Sequence, residues 1–169
     1  MRTSIGIKID APAELVFRLA RRVETWERVL PHYARSRVVD RRTDGGLVVQ
    51  FVARRPLIGF LGLALPVAWR ARTWNEPNSL RLRFLHVGGA TRGMDVTWRI
   101  EATPTGCTVS IDHDFSPRVP GFAAFVDRWF TQAIAGRTLA TFKALAEAVG
   151  EVVASPPESD PLPATKLPM

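Results

Sequence analysis

The feature that most constrains this chain is a long amphipathic segment at residues 120–150. Apolar side chains recur in it at intervals of three and four residues, the spacing of one helix face. These side chains are Phe122, Phe125, Val126, Trp129, Phe130, Ala133, Ile134, Phe142, Leu145, Ala146 and Val149. The helix would be about 45 Å long, and its aromatic half needs a broad apolar surface to pack against. The sequence therefore predicts a curved sheet wrapped around one long C-terminal helix.

The chain before this segment has the pattern of strands with two short helices. Alternation of apolar and polar residues predicts strands at residues 4–10, 36–42, 47–55, 67–75, 80–87, 94–102 and 107–115. Helical spacing follows the first strand at residues 15–23 and again at 24–30, before Pro31. Turn-forming residues separate the later strands. This element order predicts an α+β fold with seven strands.

Composition indicates a globular domain followed by a tail. An apolar fraction of 46% and a charged fraction of 23% are typical of soluble domains, and 169 residues suffice for one core. We expect this domain to span residues 1–150. Residues 151–169 are rich in proline and poor in large apolar residues, which predicts a disordered tail.

The net charge of +7 comes mainly from arginine, because Lys8, Lys143 and Lys166 are the only lysines. The arginines are spread along the chain without a basic block or a nucleic-acid motif, so we expect no nucleic-acid partner. The chain lacks an apolar signal segment, and no apolar stretch reaches the roughly 18 residues of a spanning helix. We therefore expect a cytoplasmic protein.

Two histidines fall on predicted apolar strand faces. The face we expect to point inward on the last three strands carries Leu82, Phe84, His86, Met94, Val96, Trp98, Cys107, Val109, Ile111 and His113. Antiparallel pairing predicts His86, Met94 and His113 on neighbouring rungs. Inward imidazoles could bind a polar ligand group or exchange protons near neutral pH. Alternatively, each is a buried histidine hydrogen-bonded to the backbone.

The sequence shows no motif for a metal, a cofactor or covalent catalysis. Two histidines without an inward carboxylate fall short of a usual ligand set, and Cys107 is the single cysteine. Neither a G-x-S-x-G, an H-E-x-x-H nor a phosphate-binding loop is present. We expect no metal and no cofactor, so any catalysis would be acid–base chemistry in a pocket.

Two further candidates have positions that the sequence leaves open. Arg72 would be a pocket cation if it points inward with Trp74. If Trp69 and Thr73 point inward instead, Arg72 is solvated, and we favour this arrangement. Tyr33 follows a predicted helix end and could stand at a pocket mouth or pack on the surface.

A nearly uncharged run begins at Leu57 and ends at Leu65, broken by Gly59 and Gly62. We interpret it as a core strand or as an edge helix packed on the domain. A flexible lid over a pocket, or a patch that makes transient membrane contact, remains the alternative.

The chain resembles the START-like (SRPBCC) superfamily, specifically its polyketide cyclase/dehydrase and lipid-transport family. Residues 9–17 (IDAPAELVF) are similar to that family's strand-to-helix start, and residues 23–33 (VETWERVLPHY) resemble its second helix, including the form in coenzyme Q-binding START proteins. Residues 86–100, 106–113 and 134–147 resemble its last strands and terminal helix. The resemblance implies a helix-grip fold, in which a seven-stranded antiparallel sheet and the long helix enclose a hydrophobic cavity.

The resemblance implies binding or carriage of a hydrophobic small molecule, such as a lipid, a quinone or a polyketide. Apolar walls with a few polar groups are typical of such sites. The ligand-binding residues that we expect are Phe84, His86, Met94, Val96, Trp98, Ile111, His113, Phe125, Trp129 and Phe130.

Two other functions remain as alternatives. The first is a polyketide cyclase or dehydratase, in which His86 and His113 carry protons with help from Tyr33 or Arg72. The second is an interaction module that acts through basic outer faces, which carry Arg81, Arg83 and Arg99.

Overall fold

The computed structural model describes residues 1–58 and 63–154, and for residues 55–58, 63–64, 129–130 and 153–154 it describes only the backbone. The strands are β1 (Arg2–Ile9), β2 (Tyr33–Arg41), β3 (Leu47–Ile58), β4 (Leu63–Glu76), β5 (Arg81–Gly89), β6 (Asp95–Thr103) and β7 (Gly106–Asp114). The helices are α1 (Ala13–Ala20), α2 (Trp26–Val29), α3 (Phe122–Val126) and α4 (Gln132–Ala154). The predicted α+β element order is confirmed.

The seven strands form one antiparallel sheet in the order β1-β7-β6-β5-β4-β3-β2. Successive strands from β2 to β7 are neighbours, and β1 closes the order by pairing with β7. The β2–β3 hairpin turns at the predicted position, where Gly45 has a φ of +81° and the Gly46 N–H donates to Asp44 Oδ1 at 3.0 Å. Short antiparallel connections of this kind follow from the turn-forming residues in the sequence.

The C-terminal segment is helical from Phe122 to Ala154, but it is not one regular α-helix. A π-helical turn at Asp127–Thr131 separates α3 from α4. A π turn takes one more residue than an α turn, so the apolar stripe changes phase there. The prediction of a single uninterrupted stripe is therefore wrong at this point: Val126 is buried, whereas Phe125 is 47% exposed.

Helix α4 packs against β1 and α1, and polar contacts fix its C-terminal half. Glu147 Oε1 accepts a hydrogen bond of 2.8 Å from the backbone N–H of Asp10, and Lys143 Nζ donates to Lys8 O at 3.1 Å. Lys143 also pairs with Glu147 one turn along the helix. These contacts join the end of β1 to the C-terminal half of α4.

The centre of the core is an aromatic cluster around Trp26 in α2. Its indole nitrogen donates to Ala20 O at 2.9 Å, which fixes the ring beneath the sheet. Ring centroids lie 5.5–5.8 Å from it in Tyr33, Phe51, Phe84, Trp98 and Phe142. These rings come from α2, four strands and α4, so the cluster joins the sheet to the helix.

The apolar run from Leu57 to Leu65 has strand backbone at both described ends. β3 extends through Ile58 and β4 begins at Leu63, which confirms a strand there, but Leu65 is 44% exposed and so is not a core residue. Residues 59–62 lie outside the described residues, as do residues 155–169 of the predicted tail; residues 151–154, also assigned to that tail, are instead the last residues of α4. The lid and membrane-contact alternatives stay predictions.

Within the described ranges, no helix is long and apolar enough to cross a membrane.

Candidate functional site

A cavity of about 90 Å³ lies between the inner face of the sheet and α4. Its walls are mainly aromatic and aliphatic, with two histidines, a tyrosine and three threonines. They are Trp26, Tyr33, Phe51, Val67, Trp69, Phe84, His86, Thr91, Met94, Val96, Trp98, Ile111, His113, Thr131, Ile134, Ala135 and Thr138. The volume is below the roughly 300–1,000 Å³ of typical ligand pockets, because aromatic rings fill much of the interior.

Most of the residues predicted to bind a ligand line this cavity. The set present is Phe84, His86, Met94, Val96, Trp98, Ile111 and His113. Phe125 is 47% exposed and is not among the described wall residues, and the side chains of Trp129 and Phe130 lie outside the described part of the chain. The role of these residues in binding stays a prediction.

The sheet register brings the two inward histidines together. The His86 N–H donates to Met94 O at 2.9 Å, and the next rung of the same face pairs Val96 with His113. The predicted placement of His86, Met94 and His113 on neighbouring rungs is confirmed. Antiparallel pairing across two tight turns is sufficient to explain it.

A β-bulge lies beside His86. Arg70 is opposite Gly88, whereas Ala71 is opposite His86, so β5 carries an extra residue between them. Gly89 then has a φ of +90°, and a Cβ there would lie 2.6 Å from the Ala68 carbonyl oxygen. Only glycine is compatible with this approach. The Gly-Gly pair after His86 therefore shapes the strand that carries the imidazole.

The imidazole of His86 is held by two neighbours. Its Nδ1 is 2.7 Å from Thr91 Oγ1, and its ring stacks on Trp69 with centroids 5.9 Å apart and planes at 20°. Burial, followed by the nearby His113, lowers the pKa of His86 to about 3. The ring is therefore neutral at pH 7. Its partner is a threonine side chain rather than the backbone carbonyl that the sequence alternative assumed.

His113 is 7% exposed, and its Nδ1 is buried without a hydrogen-bond partner in the described part of the chain. Burial lowers the pKa of His113 to about 4, although Asp127 and Asp112 oppose the shift. Both cavity histidines are thus neutral at pH 7, so the proton exchange near neutral pH that the sequence suggested is not favoured.

Tyr33 lines the cavity, and Thr138 connects it to a third histidine. The Thr138 hydroxyl donates to Ile134 O at 2.8 Å, so His32 Nε2, at 2.9 Å from Thr138 Oγ1, is the donor. Burial raises the pKa of Tyr33, which a hydrogen bond with Thr138 only partly offsets. Tyr33 is therefore a neutral phenol at pH 7. Burial, followed by the charge of Arg137, lowers the pKa of His32 to about 4.

Arg72 lies on the opposite face of the sheet from the cavity. Ala71 and Thr73 are buried on the inner face, whereas Arg72 pairs with Asp44 and lies over the Trp74 ring at 5.6 Å. Alternation along β4 requires this arrangement, which the sequence analysis favoured. The structure therefore removes Arg72 from the catalytic candidates.

The arginines proposed for an outer interaction surface are partly engaged within the sheet. Arg99 Nη2 lies 2.6 Å from Asp112 Oδ2, and Arg83 Nη2 lies 3.2 Å from Asp95 Oδ2. Arg81 is exposed. Ion pairs of this kind use part of the charge that an acidic partner would need.

Sequence reasoning missed several wall residues, including Trp26, Phe51 and Thr138. Thr131 and Thr138 lie seven residues apart on α4 and its preceding turn, which places them on one helix face with Ile134 and Ala135. The seven-residue spacing of these threonines is a signal in the sequence, because threonine can lie within an apolar helix face. In the described ranges no cluster of three His, Cys, Asp or Glu side chains could hold a metal.

The sequence was also compared with known protein families. The family model described as "Polyketide cyclase / dehydrase and lipid transport" matches residues 2–147. None of the curated proteins compared matches the chain.

Solved structures share the fold. The Zhui aromatase/cyclase from Streptomyces sp. R1128 has a TM-score of 0.73 at 15% identity, covering 92% of this chain and 99% of that one. A START superfamily protein from Mycobacterium smegmatis has a TM-score of 0.58 at 16% identity, covering 90% and 98%. The di-domain ARO/CYC BexL from the BE-7585A biosynthetic pathway has a TM-score of 0.65 at 26% identity, covering 92% and 48%. These likenesses agree with the helix-grip fold.

Proposed function

Because this chain belongs to the polyketide cyclase/dehydrase and lipid transport family, we propose that it binds a hydrophobic small molecule between its sheet and α4. The observation that carries this proposal is the cavity of about 90 Å³ with aromatic and aliphatic walls and few polar groups. Such walls suit an apolar ligand that makes one or two hydrogen bonds. Residues 1–150 would form the binding domain, and lipids, quinones and polyketides are the ligand classes to compare.

In this proposal the polar side chains orient the ligand rather than transform it. His86 and Thr91 form one polar group on the wall, His113 lies on the neighbouring rung, and Tyr33 and Thr138 form a second group. Trp69 lies between them, 5.9 Å from the rings of both Tyr33 and His86. A flat ligand could thus contact an aromatic wall with polar groups on either side.

A polyketide cyclase or dehydratase is the second candidate, because two imidazoles and a tyrosine share the cavity. General acid–base catalysis is most efficient when the pKa of the catalytic group lies near the working pH. The pKa values of about 3 for His86 and about 4 for His113 lie well below it. Binding without turnover is therefore the better-supported function.

The first experiment is native mass spectrometry of the protein purified from its own host, followed by extraction and identification of any bound compound. We expect a mass excess from a hydrophobic small molecule, and a raised melting temperature when the extract is added to stripped protein. A clean protein mass, with no thermal shift across a lipophilic library, would contradict the proposal and favour a surface-acting module.

The same ligand separates binding from catalysis. Replacing both histidines, His86→Gln and His113→Gln, should abolish any turnover of it and leave its affinity largely intact if they are proton carriers. Loss of affinity together with turnover would remove the support for a separate catalytic role. Calorimetry and product analysis by liquid chromatography measure the two quantities independently.

A further inference from the structure

We propose that the cavity selects an uncharged, oxygen-bearing single ring and excludes carboxylates and phosphates. This inference deepens the proposed function and rests on it. The described cavity walls contain no arginine, lysine, aspartate or glutamate side chain. An ionised ligand group would therefore be buried without a counter-charge, which is strongly unfavourable. Free fatty acids and phospholipid headgroups are excluded on this basis, whereas phenols and quinones are accepted.

The histidines do not supply the missing positive charge. His86 is engaged by Thr91 and stacked on Trp69, and burial keeps its imidazole neutral at pH 7, as it does for His113. The charges that act on His113 are the carboxylates of Asp127 and Asp112. Asp112 is itself paired with Arg99 on the outer face. The groups that act on His113 therefore add no attraction for an anionic ligand group.

His113 provides the specific attraction for a neutral oxygen. Its Nδ1 is buried and has no hydrogen-bond partner in the part of the chain that the structure describes. Buried polar atoms normally have such a partner. His113 is among the residues that line the cavity, so a bound molecule can supply this partner. A neutral imidazole offers one donor and one acceptor, so a ligand hydroxyl or a ligand carbonyl can satisfy it.

The size of the cavity limits how many rings of a ligand it can hold. An apolar cavity of about 150 Å³ accommodates benzene, and this one measures about 90 Å³. A single ring therefore enters only when the surrounding side chains move apart, and Trp69 and His86 already stack there as near-parallel rings. A larger ligand would place one of its rings here and require wider opening for the rest.

The test compares single-ring probes of matched shape on the full chain at pH 7 by isothermal titration calorimetry. The probes are toluene, 4-methylphenol, 4-methylacetophenone, 4-methylbenzoate and 4-methylbenzylamine. We expect at least one of the two neutral oxygenated probes to bind about three- to tenfold more tightly than toluene, as one neutral hydrogen bond allows. Tighter binding of 4-methylphenol would mean that His113 accepts a hydrogen bond from the ligand hydroxyl. Tighter binding of 4-methylacetophenone would mean that His113 donates a hydrogen bond to the ligand carbonyl. We expect 4-methylbenzoate to bind at least about a hundredfold more weakly than 4-methylphenol.

Variants assign this preference to His113. His113→Leu should remove the preference for the oxygenated probe while toluene affinity changes less than about twofold, and His113→Gln should retain it. The matched control is Thr3→Val. Thr3 is opposite His113 in the sheet register and also has a buried hydroxyl without a partner among the described residues, but it does not line the cavity. This control should leave all affinities unchanged.

The outcomes separate the inference from the function on which it rests. If 4-methylbenzoate or 4-methylbenzylamine binds as tightly as 4-methylphenol, charge exclusion is wrong while the cavity remains a ligand site. If the preference survives in His113→Leu, the role of His113 is wrong. If no probe binds, toluene included, the inference fails, while the proposed function is decided separately by native mass spectrometry of the protein from its own host. Should His113→Leu not fold, the comparison of probes on the unmodified chain still decides the charge question.

Discussion

At the residue scale, the chemistry of this protein depends on how deeply its three histidines are buried. His32, His86 and His113 lie in different elements, yet burial is the largest cause of the lowered pKa in each. Thr138 and Thr91 contact the rings of His32 and His86 through hydrogen bonds. A histidine on an apolar strand face is thus a neutral polar contact here, not a titrating group at pH 7.

This burial predicts that stability falls on mild acidification. The pKa is about 3 for His86 and about 4 for His32 and His113 in the folded chain, below the ordinary value of 6.5. Between about pH 4 and pH 6.5 the unfolded chain therefore binds more protons, and folding becomes less favourable as the pH falls. Each histidine contributes up to about 1.4 kcal/mol per pH unit.

Urea unfolding at pH 7, 6 and 5 measures this dependence. The double variant His86→Gln, His113→Gln should show a shallower fall, because only His32 then remains. An unfolding free energy that stays constant from pH 7 to pH 5 would show that the imidazoles are not held neutral by burial.

At the element scale, the π-helical turn decides which helix residues face the cavity. Before the turn Val126 is buried, and after it Thr131, Ala135, Thr138 and Phe142 share the buried side. A continuous α-helix cannot place both sets inward, because the extra residue changes the phase between them. The turn thereby brings Thr131 and Thr138 to the cavity.

This geometry predicts that filling the cavity from α4 blocks binding. Ala135 lines the cavity, whereas Ala140 of the same helix is exposed. Ala135→Leu should lower the affinity for 4-methylphenol at least about tenfold, because the added carbons occupy the cavity, while the fold is retained. Ala140→Leu is the matched control and should bind as the unmodified chain does. Calorimetry and circular dichroism test both, and unchanged binding by Ala135→Leu would locate the ligand elsewhere.

At the scale of the whole molecule, the sheet holds the helix through one aromatic cluster. Phe142 of α4 is 1% exposed, and its ring lies 5.8 Å from Trp26 and 5.7 Å from Trp98. The polar contacts of Glu147 and Lys143 are more exposed and contribute less. The helix-grip arrangement therefore depends on this apolar contact.

Phe142→Ala tests this dependence. It should lower the free energy of unfolding by about 3–5 kcal/mol, because it removes a fully buried ring and leaves a cavity. Val152→Ala is the control on the same helix, since Val152 is 73% exposed, and should change stability by less than about 0.5 kcal/mol. Urea denaturation compares the two, and equal effects would mean that the cluster does not hold the helix.

The sequence by itself determined the seven strands, the antiparallel pairing of the last three and the inward position of His86 and His113. These follow from alternation along a strand and from short turns, which are local properties. Only the tertiary structure decided that Phe125 faces outward, that Thr138 joins His32 to Tyr33, and that the histidines are neutral. Helix phase, hydrogen bonding and desolvation depend on residues distant in sequence, so no local pattern specifies them.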